Sequence, residues 1–202
     1  MVDTDAVRRG YDEVAAVYTA ARSTEGPGVD ILTDFLDSLG ESARVLDAGC
    51  GQGWPVDREG HTVGVDFSRQ QLCGAVENAS FELLVQGDMV ALPISDGVCD
   101  AVTAYHSLIH IPIEQHQAVI DEFARVLRPG GRILVTEGTG EWSGTNPDWL
   151  DTGVEMQWHI AGADATRAQL VDAGFVITDE WSVSQTLDGD EEWVFLNGRL
   201  DR

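Results

Sequence analysis

Four residues on alternate positions, Asp47, Gly49, Gly51 and Gly53, follow a short apolar run in the stretch VLDAGCGQG. A second apolar run, HTVGVD, ends in Asp66. Glycine has no Cβ, so such a chain can turn sharply and bring its backbone against a ligand. A carboxylate closing the next strand is suited to accept hydrogen bonds from ribose hydroxyls. Together these features point to a cofactor that carries a nucleoside. Three more apolar runs end in reactive or polar side chains. They are Gly87-Asp88-Met89, where an acid can accept from an adenine amino group, Tyr105-His106-Ser107, and Glu137. The glycine spacing reads G-x-G-x-G, with Trp54 standing where a dinucleotide fingerprint places its third glycine. No Lys-Ser or Lys-Thr follows, which excludes a phosphate loop.

These residues work together only if regular elements bring them to one edge. Alternation of short apolar runs with helical patterns supplies such elements. The strands are RVLDAG, HTVGVD, FELLVQGD, VCDAVTAYH and RILVTE. Between them lie SRQQLCGAVENA, a helix capped by Ser68, and IEQHQAVIDEFARVL, which starts after Pro112 and stops at RPGG. Upstream, Val7, Tyr11, Val14 and Tyr18 recur at helical spacing, and Ile31, Leu32, Phe35, Leu36 and Leu39 form a second apolar face before Gly40. In the tail, ATRAQLVDAGF reads as a helix with Gly174 past its end. VITDEWSVS and EWVFLNGRL follow with no helix between them and should pair as an antiparallel hairpin. The expectation is an α/β chain built on a Rossmann-like, doubly wound sheet of seven strands, mostly parallel, closed by a C-terminal antiparallel hairpin. One domain over 1–202 divides into an N-terminal helical cap (1–40), a cofactor-binding core (44–137), a substrate lid segment (138–163) and a final helix with hairpin (164–202). Only Trp54 to Glu59 separate Gly53 from Gly60, leaving room for about one helical turn of ~3.6 residues, which Pro55 can open.

Composition narrows the setting. The 202 residues carry 35 acids against 12 bases, all arginine, for a net charge of −23. Such a surface repels itself in dilute buffer, and a Debye length of ~3 Å at about 1 M salt removes that cost. The expected home is the cytoplasm of a halophilic cell, an archaeon in particular. The same charge argues against a nucleic-acid partner. Cys50, Cys73 and Cys99 are odd in number and form no C-x-x-C pair, so neither a zinc site nor a disulfide framework is expected, and no metal site is assigned. The first residues hold no signal-peptide core, and no run reaches the ~20 apolar residues that span a bilayer. A soluble chain with no membrane partner is expected, of unknown oligomeric state.

The order VLDAGCGQG, VGVDFS, VQGDMVALPISDGVCDAV, HSLIHI and VLRPGGRILVTE, from Arg44 to Glu137, resembles a class I S-adenosylmethionine-dependent methyltransferase. It is most similar to the small-molecule branch that includes quinone-biosynthesis methylases. The resemblance implies S-adenosyl-L-methionine as cofactor, with Asp47, Gly49 and Gly51, and Cys50 between them, at its methionine end. It implies Asp66, followed by Phe67, at the ribose, Asp88 and Met89 about the adenine, and Tyr105 and His106 near the sulfonium. It makes YDEVAAVY an N-terminal cap in which Tyr11 and Tyr18 close over the cofactor. The family usually has a longer first connection than the one found here, so a cofactor-binding protein without turnover stays an alternative. An NAD-dependent oxidoreductase is another.

Methyl transfer is a direct displacement that relies on alignment, and a base matters only where the acceptor must lose a proton. His106 is the first candidate for that base, with His110, His159 and Glu137 as further options. Substrate choice is expected in GTGEWSGTNPDWLDTGVEMQWHIAGAD, through Trp142, Trp149, Trp158 and His159. Those tryptophans would suit a small, partly apolar acceptor as a lid, or pack an irregular excursion onto the sheet, and the two readings are compatible.

Overall fold

The apolar runs form strands because both of their faces find cover. Every residue of β1 (Val45–Ala48) and β2 (Thr62–Asp66) is buried, as expected for strands inside a parallel sheet. The computed structural model describes residues 2–53, 56, 61–184 and 192–201. With β3 (Leu83–Gln86), β4 (Cys99–Ala104) and β5 (Leu127–Gly138), these strands make the parallel part of a sheet. The tail adds β8 (Phe175–Ser184) and β9 (Glu192–Leu200), giving the order β3-β2-β1-β4-β5-β9-β8. Strand β9 runs antiparallel to both neighbours, with Thr136 opposite Phe195 and Trp181 opposite the same residue from the other side. The seven strands and the terminal hairpin expected from the sequence are present.

One face of the sheet is covered by α4 (Ile113–Val126) and α5 (Ala163–Asp172), where Ile120, Phe123 and Leu170 meet Leu46, Val102 and Ile133. The other is covered by α2 (Pro27–Asp37), whose Leu32, Phe35 and Leu36 pack on Val45, Ala101 and Leu134. Helix α3 (Arg69–Asn78) opens at Ser68, whose hydroxyl accepts from Gln71 N–H at 3.2 Å. The first forty residues therefore divide between two layers. Helix α2 belongs to the sheet core, whereas α1 (Thr4–Ala21) crosses above the C-terminal edge of the strands.

The segment over 138–163 is more regular than its composition suggests. It holds β6 (Trp142–Trp149) and β7 (Val154–Ile160), a separate two-stranded antiparallel sheet. Gly144 and Pro147 disfavour a strand assignment from sequence, but this strand pairs on one side only, so a missing N–H is tolerated. Residues of α1 and this hairpin share a cluster of Val7, Val14, Trp149 and Met156. The short connection expected after Gly53 falls on Trp54, Pro55 and residues 57–60, which lie outside the described residues; Val56 within it is buried. No helix among the described residues is long and apolar enough to cross a membrane.

Candidate functional site

The strand order reverses at β1 and β4, which places the turns after them side by side, where an open parallel sheet binds its ligands. Gly49 has φ of +78°, and a side chain there would run into Ser107. Glycine thus lets the two turns touch, and the Ser107 hydroxyl ties them by donating to Ala48 O at 2.6 Å. Asp66 organises the next turn. Its carboxylate accepts from Gly51 N–H at 2.9 Å and from Ser68 N–H at 2.8 Å. A carboxylate has about four acceptor positions, so capacity remains for a ligand. Gly49, Gly51, Asp66, Phe67, Asp88 and Met89 line one cavity, with Tyr11, Tyr18, Tyr105 and His106. Asp88 also caps the short turn Met89–Ala91 by accepting from Val90 N–H at 2.9 Å.

Helix α1 roofs this cavity and is anchored from several sides. Asp12 accepts from the Ser68 hydroxyl at 2.7 Å, and Gln52 donates its amide to Ala15 O at 2.8 Å. Tyr11 Oη lies 2.8 Å from His110 Nε2, whose other nitrogen is 3.1 Å from Gln157 O. A carbonyl only accepts, so Nδ1 carries the proton, Nε2 accepts, and Tyr11 donates. The chain Tyr11–His110–Gln157 links α1, the turn after β4 and β7.

A second chamber, of about 750 Å³, opens beside the first. Its walls include Trp142, Trp149, Trp158, Trp193, Asn146 and Thr145. Tyr11, Tyr18, Arg22, Tyr105, His106 and His110 line both spaces. His106 is thus part of the partition. Its backbone lies at φ +52°, uncommon for a residue with a side chain, and its ring meets those of Tyr105 and Trp193 edge-on, each at 4.5 Å between centroids.

Burial sets the protonation of these groups. It pushes His106 down to about 3, helped by Arg22 and His110, and His110 down to about 4 against its bond to Gln157. Both rings are neutral at ordinary pH. Burial raises Asp66 to about 6 despite the Ser68 and Gly51 amides, and raises Asp47 to about 7 despite a 2.9 Å bond from the Thr103 hydroxyl. Burial also works against charge on Arg22, but Tyr18, Tyr105, Tyr11 and Asp47 favour its protonated form. Its guanidinium lies over the Tyr18 and Tyr105 rings at 5.7 and 5.5 Å.

Not every candidate residue reaches the cavities. Asp47 and Cys50 are buried behind the glycine turn and line neither space. His159 is on the other side of β7 from Trp158 and Ile160, because side chains alternate along a strand, and its Nδ1 accepts from Ile113 N–H at 3.2 Å. Glu137 is enclosed: it accepts from Gly138 N–H and the Thr166 hydroxyl, both at 3.0 Å, which fixes the start of α5. Arg22, Gln71 and Trp193 are lining residues that the sequence reading did not single out. Arg22 follows Tyr11 and Tyr18 at helical spacing, a signal that was available. Gln71 Oε1 is buried and makes no hydrogen bond among the described residues, leaving an acceptor directed at the same loop. The close-approach glycines, the open positions on Asp66 and this unmatched acceptor suit an adenosyl amino-acid cofactor.

A family model described as a methyltransferase domain matches residues 46–135. The tRNA (carboxymethyluridine(34)-5-O)-methyltransferase ALKBH8 of Macaca fascicularis is 32% identical over 137 residues, covering 66% of this chain and 20% of that protein. Methyltransferase GfsG of Streptomyces halstedii is 38% identical over 108 residues, covering 46% of this chain and 37% of that one. The chain therefore spans only about a fifth to two fifths of these curated relatives. Among solved structures, the 1,6-didemethyltoxoflavin-N1-methyltransferase of Burkholderia thailandensis, with that compound and S-adenosylhomocysteine bound, superposes with a TM-score of 0.72 at 16% identity. The alignment covers 98% of this chain and 88% of that one, and at this identity it speaks for the fold alone.

Proposed function

We infer that this chain is an S-adenosylmethionine-dependent methyltransferase, from the methyltransferase-domain model that matches residues 46–135 and the class I motif order in its sequence. The reading is methyl transfer to a small-molecule acceptor. The observation that carries it is the pair of adjoining chambers with one shared wall. S-adenosylmethionine, when bound in the first, supplies a methyl group carried on a sulfonium. Asp66 accepts from the ribose hydroxyls, Asp88 and Met89 flank the adenine, and Phe67 borders the ribose. Gly49 and Gly51 present backbone to the methionine end, while Asp47 and Cys50 support that turn from behind. Tyr11 and Tyr18 exclude water from above.

The protein's work is alignment and exclusion of water, which suffices for a displacement. Tyr105 and His106 hold the partition through which donor and acceptor meet. As a neutral imidazole, His106 can accept a hydrogen bond and orient an acceptor. The tryptophans of β6 and β7, with Trp193, shape the acceptor space. With a net charge of −23, a small molecule in a salt-rich cytoplasm is the reading that suits the surface. Likeness to a tRNA-directed enzyme favours a nucleic-acid acceptor, whose phosphates that same charge repels. Failure of labelled tRNA to shift in anisotropy at physiological salt would set the two apart.

Asp66→Ala tests the cofactor site. S-adenosylhomocysteine affinity should fall by tenfold or more, since each hydrogen bond to a charged group contributes about 1.5–3 kcal/mol. Unchanged affinity in a folded variant would mean that the ribose site is elsewhere.

A further inference from the structure

We propose that Arg22 is the counter-charge for the methionine carboxylate of the cofactor and makes the cavity selective for adenosyl ligands that carry one; this rests on the methyltransferase reading above. Arg22 is the one permanently cationic side chain among the described residues lining that cavity. A Cβ on Gly51 would lie 3.7 Å from Arg22 Nη1, so the guanidinium stands beside the turn assigned to the methionine end. Gln71 Oε1, buried and without a hydrogen bond among the described residues, lies at the same 3.7 Å from that point. A donor fork and an open acceptor at one spot match a zwitterion, with the carboxylate on Arg22 and the ammonium on Gln71. Arg22 is half-buried over the Tyr18 and Tyr105 rings, and no carboxylate is within salt-bridge distance of it among the described residues. Asp47 adds a favourable charge from behind the turn, yet burial pushes that carboxyl up to about 7, so near neutral pH it is ionised only in part. A ligand carboxylate would complete the pairing where exclusion of water strengthens it.

The place of Arg22 in the chain gives this pairing a second effect. Arg22 is the C-cap of α1, and its backbone N–H donates to Tyr18 O at 3.0 Å. Hydrogen bonds at Asp12 and Ala15 hold the middle of that helix, whereas its end meets the glycine turn at Arg22. A carboxylate on the guanidinium therefore ties the end of the roof to the floor of the cavity. Methyl transfer leaves the carboxylate unchanged, so the contact serves S-adenosylmethionine and S-adenosylhomocysteine alike.

The test is calorimetry in molar salt with S-adenosylhomocysteine and its decarboxylated analogue, which keeps the adenosine, the sulfur and the ammonium. The unaltered protein should bind S-adenosylhomocysteine at least about tenfold more tightly than the analogue, which is ~1.4 kcal/mol. Arg22→Gln should erase most of that preference by weakening S-adenosylhomocysteine while the analogue binds no more weakly, and Arg22→Lys should restore part of it. Saturating S-adenosylhomocysteine should also slow amide exchange from Tyr18 to Arg22 roughly tenfold more than saturating analogue does. Equal affinities for the two ligands in the unaltered protein would overturn the proposal. So would a preference that survives Arg22→Gln, because another group would then hold the carboxylate. Equal loss of both ligands in that variant would make Arg22 structural, and equal protection of the helix end by both would free it from the carboxylate; either result counts against the proposal. No binding of either ligand by the unaltered protein would instead refute the reading beneath it.

Discussion

His106 shows how environment redirects a residue type. Its place after β4 makes it the natural candidate for a base, yet burial and Arg22 push its pKa to about 3. A ring with that value cannot hold a proton at neutral pH. Replacing it by Asn, which tolerates the same backbone conformation, should lower kcat by less than about tenfold, short of the ~100-fold or more that a general base contributes. The kcat–pH profile between about pH 6 and 8 should keep its shape. An acid limb present in the unaltered enzyme and absent in His106→Asn would restore the base assignment. Other differences at this scale have equally local causes. His159 stands one residue from Trp158 and so faces away from the chamber, and Glu137 is committed to the start of α5. Neither was legible without the strand register and the loop geometry.

At the scale of elements, α1, the turn after β4 and β7 are joined through Tyr11, His110 and Gln157. Tyr11→Phe leaves His110 Nε2 buried without its donor, at a cost of about 1–3 kcal/mol. Amides of α1 should then exchange with solvent roughly tenfold faster or more, with little change in the sheet. Wild-type exchange rates along α1 would mean that this link does not hold the roof. Most of the sheet was legible because its apolar runs, caps and stops agree: Ser68 caps α3 and Gly174, at φ +97°, ends α5, as their sequences suggest. The β6–β7 hairpin was not. Its residues follow no clear two-fold alternation, and its pairing depends on α1, contributed by residues more than a hundred positions earlier. The division of the first forty residues between roof and core was hidden for the same reason, since both helices are amphipathic and only tertiary contacts say what each covers.

For the whole molecule, charge governs the conditions under which it works. Asp47 and Glu137 are pushed up to about 7 and Asp66 to about 6, in each case chiefly by burial. These groups keep protons in the folded chain at pH values where the unfolded chain, with carboxyls near ~4, has lost them. Their contribution to stability is therefore full below about pH 4 and is lost as pH rises towards about 7. His106 and His110, buried as neutral rings with pKa values lowered to about 3 and 4, add stability as pH rises towards about 6.5 and oppose this trend. In molar salt, which screens the net charge of −23, the change in melting temperature from about pH 5 to about pH 8 should therefore be less negative, or more positive, in Glu137→Gln than in the unaltered protein, a comparison in which the histidines cancel. The same change in both proteins would contradict the buried, protonated state of Glu137. Lowering salt at fixed pH should reduce the melting temperature through self-repulsion. The central claim is that the cavity beneath α1 holds an adenosyl cofactor of the methionine type. Calorimetric titration of the unaltered protein in molar salt with S-adenosylmethionine, S-adenosylhomocysteine and NAD tests it most directly. One-to-one binding of both adenosyl ligands with no binding of NAD is the predicted result; binding of NAD with no heat from either adenosyl ligand would contradict it.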